Sequence, residues 1–227
     1  MKVLRQSANV LVAGLVLLAL PGSAAAQSAK STAQVANLNV LATTAGGPLV
    51  TPWQTILSST IHTSEQKDLF IGVSLESSLL THGLARSKNR VGDKTTASAG
   101  VEVQVLVDGK PAYPGTVVFN KRRQELTATF QGILSSCIDS TTGGVLLDEE
   151  CVEPEELDLL LDTTSANHFN FVLDDVGVGD HAISVQARID VSASAQAGSG
   201  EASAIIGKGS VTVEEVRLVK GADVLIP

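Results

Sequence analysis

Val101-Glu102-Val103-Gln104-Val105-Leu106-Val107 decides the fold class. Four valines at every second position give a strand one apolar face. Glu102 and Gln104 point the other way, and Leu106 makes that second face mixed. Period two with one apolar face describes a half-buried strand of an antiparallel sheet. Asp108-Gly109, a dipeptide of tight hairpin turns, ends it.

The same period recurs on both sides. Ile183, Val185, Ala187, Ile189 and Val191 share one face of a long strand, and Phe169, Phe171 and Leu173 alternate before it. Ile56 to Thr63 and Asp68 to Leu80 are β-rich, with the hydrophilic Ser64-Glu65-Gln66-Lys67 between them as a hairpin turn. Thr116 to Asn120 and Glu125 to Gln131 read as strands around a basic turn, Lys121-Arg122-Arg123. Thr81 to Ala99 is polar and reads as a long exposed loop, and Ala195 to Gly200 as a flexible turn. The last strand runs from about Ala202 to Val219. There Ile205, Val211 and Val213 share a parity that Val216 and Leu218 break, which predicts a bulge near Glu214-Glu215. One stretch argues for helix: Pro154 and Glu155-Glu156 suit a first helical turn, with Leu157 to Leu161 as its body, so the sequence predicts a short helix over 154–162.

Short strands separated by Gly- and Asp-rich turns point to an all-β protein, an antiparallel β-sandwich with jelly-roll or immunoglobulin-like connectivity. The longer connections at 81–99 and 132–166 fit such winding. Gly179-Asp180-His181-Ala182-Ile183-Ser184-Val185 resembles the final hairpin of many immunoglobulin-like and jelly-roll modules in exported proteins. That resemblance implies a fold class and carries no activity with it.

Residues 1–26 read as a secretory signal peptide. Lys2 and Arg5 supply the positive start, Val10 to Leu20 the apolar stretch, Pro21-Gly22 the break and Ala24-Ala25-Ala26 the small-residue cleavage pattern before Gln27. The apolar stretch falls well short of the roughly 20 residues that span a bilayer. No second apolar run is long enough to cross, no cysteine follows the cleavage site, and aromatics at 3% cannot furnish the girdles of an outer-membrane barrel. The expected organisation is a signal peptide at 1–26, a linker or loosely attached strand at 27–53, and one β-sandwich domain at 54–227 with an acidic disulfide-closed loop at 137–158. The expected location is secreted or periplasmic. Loss of Lys2 and Arg5 leaves 14 basic against 24 acidic residues, a net charge of −10, which repels nucleic acid and anionic membranes.

Two cysteines, Cys137 and Cys151, are expected to form a disulfide in an oxidising compartment. Around Cys151 crowd Asp148, Glu149, Glu150, Glu153, Glu155, Glu156 and Asp158. Hard cations take six to eight oxygens, so Asp148, Glu149, Glu150, Glu153 and Glu155 are the candidate Ca²⁺ ligands. The spacing of an EF-hand is missing, and a solvated acidic loop is the competing reading. His168 and His181, with Asp174, Asp175 and Asp180, would make a two-histidine carboxylate site if they met across a hairpin. No GxSxG elbow is present, and Gly198-Ser199-Gly200 reads as linker. Trp53 beside Pro52 is the one candidate platform for stacking a sugar. Lys121-Arg122-Arg123 reads as a solvated turn or as a contact for the acidic loop. These features together predict an exported, soluble, non-catalytic binding protein or structural envelope or extracellular component, with an envelope protein or glycan as partner. The alternatives are a secreted hydrolase with a loop-borne site and a subunit of a surface assembly.

Overall fold

Val101, Val103, Val105 and Val107 are buried to within 1% of full enclosure, and they lie on the central strand of one of two packed sheets. The computed structural model describes residues 30–134, 141–144 and 152–219. Its strands are β1 (Ser31–Thr44), β2 (Gly47–Val50), β3 (Gln54–Thr63), β4 (Lys67–Ser87), β5 (Asp93–Val107) and β6 (Lys110–Pro111). They continue with β7 (Val117–Ala128), β8 (Ile133–Leu134), β9 (Val152–Glu153), β10 (Glu155–Val176), β11 (Gly179–Ala195) and β12 (Ser199–Val216). There is no helix among the described residues.

One sheet runs β1-β12-β4-β10. In the other, β2 and β3 pair with β11, β11 with β5, and β5 with β6 and β7. All the pairings are antiparallel. Take β2 and β3 as one strand interrupted at Thr51-Pro52-Trp53, and count β5 with its hairpin β6. The sheets then hold the first, eighth, third and sixth strands, and the second, seventh, fourth and fifth. That is the order produced by rolling up one long antiparallel ribbon, a jelly roll. An immunoglobulin sheet would set the first and second strands side by side.

Between the sheets, Ile183, Val185, Ala187 and Ile189 of β11 stand opposite Val107, Val105, Val103 and Val101. Leu69, Ile71, Val73, Leu75 and Leu79 of β4 and Ala202, Ala204, Ile206, Val211 and Val213 of β12 close the core from the other side. Alternation thus places every second side chain inward, as the sequence period requires.

Several sequence expectations are corrected. Residues 155–176 form β10, paired with β4 from Glu155↔Ser87 to Val176↔Lys67, where a helix was expected over 154–162. A helical Leu157–Leu161 would leave the backbone of β4 without this partner. The expected loop at 81–99 shrinks to residues 88–92, because Gly83, Ala85, Thr95 and Ala97 turn inward between polar outward neighbours. Of the two readings of 27–53, linker or loosely attached strand, residues 31–44 take the strand, pairing with β12 from Ser31↔Glu214 to Thr44↔Ala202. Lys121-Arg122-Arg123 lies inside the continuous strand β7 rather than in a turn. Ser64-Glu65-Gln66 carries the chain from one sheet to the other, since β3 pairs with β11 and β4 with β10 and β12. The bulge of β12 falls between Ile206 and Gly209 rather than at Glu214-Glu215. A Cβ at Gly209 would stand 2.7 Å from Leu75 Cδ2 and 2.9 Å from Leu38 Cδ1, so any larger residue at this bulge would have to displace those leucine ends.

Candidate functional site

Where the chain crosses between sheets, titratable side chains gather at one end of the sandwich. Asp108 and Gly109 both take positive φ, 50° and 80°, in the two-residue turn between β5 and β6. That turn aims the Asp108 carboxylate at β11. Its Oδ1 accepts the Ala182 N–H at 2.9 Å, and its Oδ2 lies 2.7 Å from His181 Nδ1. His181 Nε2 lies 2.9 Å from the Gly177 carbonyl and 3.1 Å from Thr63 Oγ1. The Thr63 hydroxyl donates to the same Gly177 carbonyl. The hydrogen bond to Asp108, set against burial and helped by Gly177, raises the His181 pKa above its ordinary value. The same bond, with the Ala182 N–H, holds Asp108 below the usual carboxylate range.

Carboxylate, imidazole and hydroxyl in line is the order of a nucleophilic triad. Here Thr63 has no exposed surface, and its hydroxyl is committed to a main-chain carbonyl. The group ties the end of β3, the β5–β6 turn and the β10–β11 crossover together. Beside it Asp68, also buried, accepts the N–H groups of Asp175 at 3.0 Å and Leu218 at 2.8 Å. A shallow cavity of about 230 Å³ opens there, lined by Gln66, Lys67, Asp68, Asp175, Val216 and Arg217. At the opposite end Asp93 does similar work. Burial opposes its ionisation, but N–H groups of Arg86 (2.7 Å) and Ala197 (2.9 Å) hold its pKa below the ordinary value.

The expected pairing of His168 with His181 does not occur. His168 stands on β10 in the first sheet, against Ser74 Oγ at 2.8 Å and Asn170 Oδ1 at 2.7 Å, while His181 belongs to the second. Asp180 instead meets His62, 2.7 Å away. Of the candidate calcium ligands, Asp148, Glu149 and Glu150 lie outside the described residues, as do Cys137 and Cys151. Glu153 is in β9, and Glu155 opens β10 with Oε2 accepting the Gly132 N–H at 3.1 Å. Glu156 pairs with Arg86 at 2.8 Å and Asp158 with His82 at 2.7 Å. No three metal-ligating side chains converge among the described residues. Trp53 is half-buried, with the Arg188 guanidinium 4.7 Å above its ring and Glu102 2.6 Å from Arg188 Nε, so one face of the ring is occupied by a side chain of this protein.

Two features escaped the sequence reading. A polar seam joins β7 to the other sheet. Asn120 donates to Ser77 and Ser165, Arg122 to the carbonyls of Leu79 and Leu161, and Gln124 to the Leu159 carbonyl. The second lies on the opposite flank, built from β1, β2 and β3. Residues 31–64 contain no Asp, Glu, Lys or Arg in a chain that is 18% charged, a signal visible in the sequence once these strands are placed together. Val35 is 79% and Leu41 58% exposed there.

No family model matches the chain, and no curated protein matches it. Among solved structures it is similar to VP2 of the infectious bursal disease virus subviral particle, at 10% identity and a TM-score of 0.21, over 84% of this chain and 42% of that one. It is similar also to VP2 of the Gt strain of that virus, at 10% identity and a TM-score of 0.20, over 93% of this chain and 47% of that one. The chain spans less than half the length of these proteins.

Proposed function

We propose that this chain is an exported, non-catalytic jelly roll that acts as a binding or structural component of an envelope or the extracellular space. The observation that carries this reading is the state of Asp108, His181 and Thr63. Among the described residues this is the arrangement nearest to catalytic machinery, yet its hydroxyl is sealed and its charges hold turns together. Catalysis by such a group needs a nucleophile that substrate can reach. The uncharged flank of residues 31–64 adds surface suited to protein contact. The acidity of the chain argues against nucleic acid and for an envelope protein or glycan partner.

The test is capture with the mature protein as bait against envelope and culture fluid of the source organism, with calcium and with chelator. A specific polymer or protein retained supports the reading, and retention only with calcium implicates the acidic segment around Glu153 and Glu155. Turnover of an ester, peptide or glycan substrate by the purified protein would overturn it.

A further inference from the structure

We infer that two copies of this chain associate through antiparallel pairing of β1 with β1 about a two-fold axis, joining their four-stranded sheets into one of eight strands. The inference deepens the structural reading above by naming the partner.

A strand at a sheet edge presents unpaired N–H and C=O groups, and proteins usually blunt such edges with charge, proline or brevity. Three of the four edges here are blunted. β10 carries Glu155, Glu156, Asp158 and Asp162, and its Leu159 and Leu161 carbonyls already accept from Gln124 and Arg122. β7 carries Lys121, Arg122, Arg123 and Glu125. The β2–β3 edge is broken around Pro52, and the Ser58 N–H donates to Gln34 Oε1 at 2.6 Å. β1 is different. It is 14 residues long, against a usual length of about 5–6, and contains no charge and no proline. Its partner on one side is β12, and no strand among the described residues pairs with its other side.

Symmetry selects the occupant. In a two-fold contact the same surface serves both copies, so a charge on β1 would sit close to its own equivalent. Residues 31–64 offer no charge to repel. Over the rest of an acidic chain with net charge −8, two copies repel each other, and this flank is where they approach at least cost. A two-fold through Leu38 also sets Val35 opposite the partner subunit's Leu41, on the outward face. These are the two exposed large apolar side chains of β1, and pairing would shield both. The irregularity between Asn37 and Val40 falls at the axis and leaves 31–37 and 40–44 as the paired arms.

The test is sedimentation equilibrium of the mature exported chain from about 1 to 500 μM, with Val35→Lys, Leu41→Glu and the double variant. Both positions are exposed, so far-UV circular dichroism should match wild type, as should melting at concentrations where both are monomeric. The expected result is a dimer that each single substitution weakens about tenfold or more, because each places two charges against apolar partners. In the double variant the new charges face each other with opposite sign, and dimerisation returns. A monomeric wild type over the whole range overturns the inference, as does a dimer indifferent to both substitutions or a double variant that stays monomeric. A monomer that still captures an envelope partner would overturn this inference alone and leave the proposed function standing.

Discussion

His181 Nδ1 and Asp108 Oδ2 stand 2.7 Å apart and join β11 to the tip of the β5–β6 hairpin. Both groups gain stability from being charged, over different pH ranges. His181 has a raised pKa, so its contribution is complete below the ordinary value of 6.5 and is lost as pH rises through the folded-state value. Asp108 has a lowered pKa, so its contribution is complete above the ordinary value of 3.8 and is lost as pH falls through the folded-state value. Both are fully present between those limits. Asp108→Asn keeps a residue suited to positive φ and removes the charge. Urea unfolding should show it less stable than wild type by about 1 kcal/mol at pH 5, discounted for the half-exposed carboxylate, with the difference shrinking as pH rises through the raised His181 value. An equal loss at pH 5 and pH 9 would mean that the ion pair contributes nothing.

The polar seam reaches into the buried interior at Thr81 and Gln124. Thr81 is fully buried, and its hydroxyl donates to Gln124 Oε1 at 2.8 Å. Gln124→Ala leaves that hydroxyl without its acceptor and should cost about 1–3 kcal/mol in chemical denaturation. Adding Thr81→Val removes the stranded hydroxyl and should recover part of the loss. If the double variant loses the sum of the two single losses, the coupling is absent.

Gly198 sits where the β11–β12 turn crosses β4, and a Cβ there would run into the Leu84 carbonyl oxygen. Gly198→Ala should destabilise by about 1–3 kcal/mol, as overpacking does. It should also loosen the Ala197 N–H bond to Asp93, read as faster hydrogen exchange at Ala197. Gly46, with open space around its Cβ position, is the control: Gly46→Ala should change melting little.

Cys137 and Cys151 are expected to be bridged. The flanking pair β8–β9 sets Leu134 opposite Val152, which brings the two ends of the intervening segment together. Peptide mapping without reductant should recover a linked fragment, and reduction should cost about 3 kcal/mol for a loop of about 15 residues. Recovery of both as free thiols ends that expectation.

The parts of the fold legible in the sequence were those where one face of a strand is apolar over several repeats. Val101–Val107 and Ile183–Val191 are of this kind, and both lie on central strands. The first part of β10 was not legible, although its Phe169–Leu173 alternation was, because Leu157, Leu159, Leu160 and Leu161 crowd both faces and follow a Pro-Glu-Glu start that local rules assign to a helix. Its strand is fixed from afar by β4 and by donors on β7. The Thr81–Ala99 stretch hid its strands because small inward residues alternate there with basic outward ones. The Asp108–His181 contact was out of reach for another reason. Its partners lie 73 positions apart and meet only through strand pairing that no local pattern encodes.

The strand order also sets a schedule. β12 lies between β1 and β4, and β11 lies between β3 and β5, so one of the two inner places in each sheet belongs to a late segment of the chain. A chain delivered from its N-terminal end has the partners of β4 (β10) and of β5 (β6 and β7) in hand early, whereas β1, β2 and β3 have no strand partner until β12 and β11 arrive. Closure of both sheets waits for residues 179–216. The winding itself therefore defers completion of both sheets until residues 179–216 have been delivered.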